Sequence, residues 1–251
     1  MGRVTRTRRV RVTSPYFATP SQPLPDYIRP GIDVLFCGIN PGTESGAQRR
    51  HYAHRSNVGV PWLMKHFYPC LYAAHITADS LGPTDDETFP SLAPFALGLT
   101  NLVHRPTAKS EQLSRVELER GVPELLDKVR RYRPRIVCFV GKQIGDTFLR
   151  VVQKQASANG QRTVPVPHSV AGFWHTAPGL VPQADLGYGV LPFCLSYTDT
   201  SYTLFYVTPS TSARVTHHLL PDKIRLFAHI STLLRAPEAD WQPVQMPCLQ
   251  T

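Results

Sequence analysis

The chain reads as an α/β layered domain around a central, mostly parallel sheet, and three observations carry that reading. Two short runs, Ile32 to Cys37 and Arg135 to Val140, are almost continuously apolar and each stops at a glycine, as strands covered on both faces do. Stretches with helical apolar spacing lie between and after such runs. The chain has 251 residues, 42% of them hydrophobic, enough for the core of one large domain and too apolar for wholesale disorder.

Taken in order, residues 1–30 open with Arg3, Arg6, Arg8, Arg9 and Arg11, hold no acid before Asp26 and turn rich in Pro and Ser, which predicts a basic flexible arm. The domain proper is expected over 31–235. Its first strand, Ile32 to Cys37, ends at Gly38. Ser114 and Glu117 then form a capping box, and Leu125, Leu126 and Val129 continue an apolar stripe that Pro123 should kink or restart. The strand Arg135 to Val140 is closed by Gly141, and a short helix follows over Lys142 to Val152. The stretch 153–189, dense in Gly, Pro, Gln and Ser, reads as a surface insertion without a regular element. Strands are expected at Val190 to Tyr197 and Tyr202 to Val207, then an amphipathic helix from Pro221 to about Leu234 with Ile224, Phe227, Ile230 and Leu234 on one face. Pro237 and Pro243 mark a tail over 236–251.

Charge narrows the partners. Lys and Arg number 27 against 18 Asp and Glu, a net +9, which favours a polyanion, nucleic acid first and acidic membrane second. The sequence has no run of eighteen apolar residues and no apolar N-terminal stretch, so a soluble intracellular protein is expected. Cys37, Cys70, Cys138, Cys194 and Cys248 are odd in number and widely spaced, and read as reduced packing residues. None stands at C-x-x-C spacing, which leaves a structural zinc only the pairs His51/His54 and His217/His218.

In a parallel sheet, sites form where loops leave the carboxyl ends of strands. That rule selects Gly38 to Gly42 and Thr208 to Arg214. Gly38 and Gly42 permit close approach of backbone to a ligand, and Pro41 stiffens the turn that carries Asn40; the same residues would also make a plain tight turn with Asn40 left-handed. A P-loop fails because Ile136 stands where its first glycine should and Gln143 replaces the magnesium-binding hydroxyl. A nucleophile elbow fails because Ser45 comes one place late between Gly42 and Gly46.

Five segments taken together, Gly38–Gly42, His51–Tyr52, Gly98–Thr107, Val140–Ile144 and Thr208–Arg214, resemble the mismatch-specific uracil-DNA and thymine-DNA glycosylase family, with matching order and approximate spacing. The resemblance spans roughly 31–235; the residues around Val58 to Pro61 and the stretch 153–189 depart from the pattern. It implies a three-layer α/β/α fold with a central, mostly parallel sheet. It also implies a monofunctional glycosylase that flips uracil, or thymine and other modified pyrimidines, opposite guanine out of double-stranded DNA and leaves an abasic site. Neither metal nor organic cofactor is expected, and the protein would act as a monomer, in the nucleus if eukaryotic and otherwise in the cytoplasm.

Each role is carried over from that resemblance. Asn40 would orient the attacking water and Thr100 help hold it through its backbone. Gly38 and Ile39 would line the base pocket, Tyr52 stack on the base, Asn57 contact the pyrimidine, His51 approach base or water, and Ser45 sit at the C5 edge, favouring uracil over thymine. Arg214 would fill the vacated stack and Ala213 meet the widowed guanine, while Ser210, Ser212 and Lys142 take phosphates. The chemistry suits these types: the glycosidic bond breaks through an oxocarbenium-like state with the base leaving as an anion, so a placed water and hydrogen-bond donors matter more than a strong base. Asn40 cannot take a proton, so slow turnover is expected, and no lysine in either loop supports strand cleavage. The alternative is a non-catalytic DNA-binding protein that recognises mismatches or damage on the same scaffold; a water-orienting amide favours the enzyme. The arm's arginines fit phosphate attraction and a nuclear-localisation signal alike.

Overall fold

A computed structural model describes residues 23–54, 66–156, 161–167, 187–197, 201–212, 215 and 217–250. Among the described residues seven strands form one sheet: β1 (Val34–Gly38), β2 (Leu97–Asn101), β3 (Ile136–Val140), β4 (Gln161–Pro167), β5 (Gly189–Ser196), β6 (Tyr202–Thr208) and β7 (Trp241–Gln250). Their order is β2-β1-β3-β6-β5-β7-β4. β1 pairs in parallel with β2 and β3, β3 with β6, and β5 with β7; β5–β6 and β4–β7 are antiparallel. The sheet is therefore mostly parallel, as the apolar runs require.

Alternation along the strands builds two cores. Val34 and Phe36, Ile136 and Cys138, Leu204 and Tyr206 face helices α2 (Phe67–Ala73) and α5 (Leu220–Arg235). Leu35 and Cys37, Val137 and Phe139, Phe205 and Val207 face α3 (Arg115–Tyr132) and α4 (Lys142–Ala156). Helices on both faces of one sheet make the three-layer α/β/α architecture. A six-residue helix, α1 (Thr43–Gln48), follows β1, and a 3-10 helix spans Pro83–Ser91. No helix among the described residues is long and apolar enough to cross a membrane. All five cysteines are buried.

Several expectations are corrected. Residues 153–189 do hold regular structure: α4 runs to Ala156, and β4 pairs with β7. β7 in turn occupies the expected tail. Both were obscured by proline, with Pro165 opposite Pro243, which is tolerated because β4 is the outer edge of the sheet. The end of the expected arm is packed: Leu24 is buried, Tyr27 exchanges two backbone hydrogen bonds with Leu99 at 3.0 and 2.9 Å, and Asp26 pairs with Lys128 at 2.6 Å. Residues 1–22, with the five arginines, lie outside the described residues. α3 continues through Pro123 as one helix, because Val122, Leu125, Leu126 and Val129 bury a stripe that outweighs one missing amide bond.

Candidate active site

The exits of β1, β2 and β6 converge on a cleft of about 370 Å³ at the carboxyl ends of the parallel strands. Backbone bonds fix the first two exits together: Leu102 N–H to Gly38 O at 2.8 Å, Val103 N–H to Ile39 O at 2.9 Å and Thr107 N–H to Pro41 O at 3.0 Å. Gly38 leaves room for Asn101 here, since a Cβ would stand 2.6 Å from Asn101 Oδ1 and force that side chain to shift. Gly42 has no such demand, because a Cβ added there would meet nothing within 4 Å. Its φ of −68° is open to any residue.

Asn40 lines the cleft and is not left-handed. Its Nδ2 donates to Arg105 O at 2.8 Å and to Thr107 Oγ1 at 2.7 Å. A carbonyl only accepts, so Nδ2 and not Oδ1 must face Arg105. The Thr107 hydroxyl gives its own proton to Lys109 O at 2.8 Å, which leaves it an acceptor toward Asn40. Both amide protons are thus committed to protein, and Oδ1 remains as the amide's acceptor. The Arg105 carbonyl is steadied from behind: its guanidinium clasps Glu117 at 2.8 and 3.1 Å and reaches Gln112 O at 3.1 Å. That clasp, with the Ser114 cap, holds the Glu117 carboxyl down at about 2.

The opposite wall is His51–Tyr52. The His51 ring donates from Nε2 to Pro25 O at 2.9 Å and receives Asn101 Nδ2 at Nδ1 at 3.5 Å, which fixes the Nε2–H tautomer. Burial pushes its pKa down to about 4, so the ring is neutral at pH 7. Tyr52 has a left-handed backbone with φ of 50°, and its ring lies 3.8 Å from Phe67 at 16°, a stacked pair. His51 is anchored through its backbone to Asp86 and Tyr68, both from outside the cleft. Ser45 is buried in the cleft wall, its Oγ accepting Ala53 N–H at 3.0 Å.

At the third exit Gly141 N–H donates to Thr208 O at 3.0 Å, which draws the ends of β3 and β6 together. Ser210 and Ser212 line the cleft, and Ser212 N–H donates to Ser210 Oγ at 3.2 Å. Lys142 is the first residue of α4, exposed and 3.5 Å from Asp146, and does not line the cleft. Asn57, Ala213 and Arg214 lie outside the described residues.

Gly38, Ile39, Asn40, Ser45, His51, Tyr52, Ser210 and Ser212 are thus brought together around one cleft. Thr100 is not. Its register partner is Cys37, so it faces α3, where its hydroxyl donates to Asp26 at 2.6 Å and receives Lys128 at 3.2 Å. One step along a strand reverses the face, and Asn101, paired with Gly38, is the residue of β2 that reaches the cleft. The threonine that meets Asn40 is Thr107. Asn101 and Thr107 lie in the same matched segment as Thr100; strand alternation would have selected Asn101, whereas the loop position of Thr107 has no periodic signal. Among the described residues no group of three or more His, Cys, Asp or Glu is placed to hold a metal ion.

A family model described as the Uracil DNA glycosylase superfamily matches residues 25–234. Fold, cleft and match together define a DNA glycosylase, a hydrolase of base-excision repair whose partner is DNA. The chain belongs to the uracil DNA glycosylase superfamily.

Proposed function

We propose that this glycosylase removes uracil, and more slowly thymine, opposite guanine in duplex DNA, using water oriented by Asn40, and that it leaves the abasic strand intact. The observation that carries the reading is the fixed Asn40 amide. With both Nδ2 protons held by Arg105 O and Thr107 Oγ1, Oδ1 is the acceptor offered to a water. That water attacks C1′ as the bond from C1′ to the base N1 breaks and its electron pair leaves on the base. The attacking water is strongly acidified once bonded to C1′, and its proton passes to solvent. Neither Asn40 nor the neutral His51 serves as a strong base, which supports slow turnover.

A target base must leave the stack to reach the cleft. Tyr52, backed by Phe67, offers a stiff aromatic wall, and Asn101, held against His51, offers amide groups to the pyrimidine edge. Ser210 and Ser212 at the rim take flanking phosphates and Lys142 a further one, while Arg214 and Ala213 fill the vacancy and meet the guanine. Asn57 completes the pyrimidine contacts. Ser45 at the C5 edge disfavours a methyl group. The arm adds sequence-independent phosphate attraction. The test is incubation of the full chain with end-labelled duplexes carrying G·U, G·T or A·U, and with single-stranded uracil DNA, followed by alkaline cleavage. Excision is expected fastest from G·U; no alkali-labile site in any substrate, or strand breaks without alkali, overturns the proposal.

A further inference from the structure

Behind the cleft a second set of buried groups is joined to the His51 backbone. Asp86, fully buried on the 3-10 helix Pro83–Ser91, accepts His51 N–H at Oδ2 at 2.6 Å. Tyr68 on α2 has its hydroxyl 2.8 Å from Asp86 Oδ1 and 2.7 Å from His51 O. Three oxygens therefore meet in two short contacts, and each contact needs a proton. Tyr68 supplies one. His51 O is a carbonyl and supplies none, so both contacts are full hydrogen bonds only when the Asp86 carboxyl carries the second proton; with a carboxylate the one Tyr68 proton is divided between Asp86 Oδ1 and His51 O.

We infer that Asp86 acts as a protonated positioning residue, closing a ring of hydrogen bonds that holds both backbone ends of His51 and so fixes the Tyr52 wall of the base pocket. In the ring Asp86 Oδ1–H donates to Tyr68 Oη, Tyr68 Oη–H donates to His51 O, and His51 N–H donates to Asp86 Oδ2. Loss of the carboxyl proton turns the Tyr68 hydroxyl toward Asp86 and leaves His51 O without its donor. The ring matters because Tyr52 follows directly in a left-handed conformation, φ 50°, which an L side chain adopts only when its surroundings impose it.

The surroundings favour the acid form. Burial raises the Asp86 pKa to about 7 against the opposing pull of Tyr68, the His51 amide and Arg50, with Asp85 adding to the rise. The other groups around it are Tyr27 and Tyr52, both pushed upward, the His51 ring at about 4, and Glu87, which pairs with Arg50 at 3.1 Å. Tyr68 is likewise pushed upward by burial and by Asp86. The clamp is therefore complete below about pH 7 and opens above it.

This inference rests on the base-pocket reading, and its test separates the two. Affinity is measured from about pH 5.5 to 8.5 for a G·U duplex carrying a non-cleavable 2′-fluorinated deoxyuridine and for the same duplex with a tetrahydrofuran abasic analogue. The ratio isolates the base pocket from phosphate binding. Wild type is expected to lose roughly 2- to 10-fold in that ratio as pH rises through 7, the effect of one hydrogen bond. Asp86→Asn, whose amide donates and accepts like the acid form, should keep the low-pH ratio throughout; Tyr68→Phe, which cannot close the ring, should show the high-pH ratio throughout. A wild-type ratio independent of pH, or an Asp86→Asn ratio that falls like wild type, overturns the role. A carbon-13 carboxyl titration of Asp86 needs no substrate: a midpoint near 7 supports the clamp, and one in the ordinary carboxylate range overturns it. Failure of wild type to excise uracil from G·U refutes the proposed G·U activity instead, while the titration still decides the clamp.

Discussion

Thr107→Val removes one hydroxyl from the orientation of Asn40 while keeping shape and branching. In the native site Thr107 Oγ1 sits 2.7 Å from Asn40 Nδ2 and passes its own proton to Lys109 O at 2.8 Å. Valine leaves one amide proton facing a methyl group, and an orphaned buried donor costs about 1–3 kcal/mol. The bond to Arg105 O persists, so the amide is biased away from its working orientation without being released. If that cost falls on the aligned state alone, the excision step slows roughly 5- to 150-fold. The assay is single-turnover excision from a G·U duplex at saturating enzyme, with binding measured separately. Affinity should not change, because Thr107 is buried and touches no predicted phosphate contact. Thr107→Ser keeps the hydroxyl and should stay close to wild type. A Thr107→Val rate equal to wild type, or equal losses in the valine and serine variants, would refute the orienting role.

Gly38→Ala places a Cβ 2.6 Å from Asn101 Oδ1 and 3.3 Å from Tyr52 Oη, so it should weaken binding of a non-cleavable G·U duplex at least several-fold while sparing an abasic duplex; unchanged affinity would show that Asn101 does not contact the base. Ser45→Ala strips Ala53 N–H of its acceptor and should cost about 1–3 kcal/mol in denaturant unfolding, while narrowing the preference for uracil over thymine by raising thymine excision; equal slowing on both bases would reduce Ser45 to a structural pin. Deleting residues 1–12 removes Arg3, Arg6, Arg8, Arg9 and Arg11 and should flatten the dependence of DNA affinity on salt; an unchanged slope would show that the arm does not meet DNA.

What was legible in the sequence followed periodicity. β1 and β3 are covered on both faces, so their apolar runs were visible without tertiary information, and the Ser114–Glu117 box marked the start of α3. β4 and β7 were hidden by proline, which the edge strand β4 tolerates and which β7 carries outside Cys248–Gln250, the part that pairs with β5, and β2 because Gly98 breaks its apolar run. That glycine is needed where a Cβ would come 2.6 Å from Ile32 Cδ1. Within the site, the loop carrying Asn40 was legible from its composition, but the partners that orient its amide stand 65 and 67 residues away in sequence. The same distance problem bears on Thr100: motif spacing located the segment, and only strand register decided which face each side chain took. Asp86, 35 residues from His51, carried no motif, and its burial became visible only with the fold.

Asn40→Ala, measured on one G·U duplex for both binding and excision, tests the oriented-water mechanism most directly. The substitution removes Oδ1, the acceptor offered to water, and leaves the Ser210 and Ser212 rim and the Tyr52 wall in place. Binding of the duplex is expected to stay near wild type while single-turnover excision falls by several orders of magnitude. Excision at a near wild-type rate would contradict the mechanism, since the water would then be oriented by some other group.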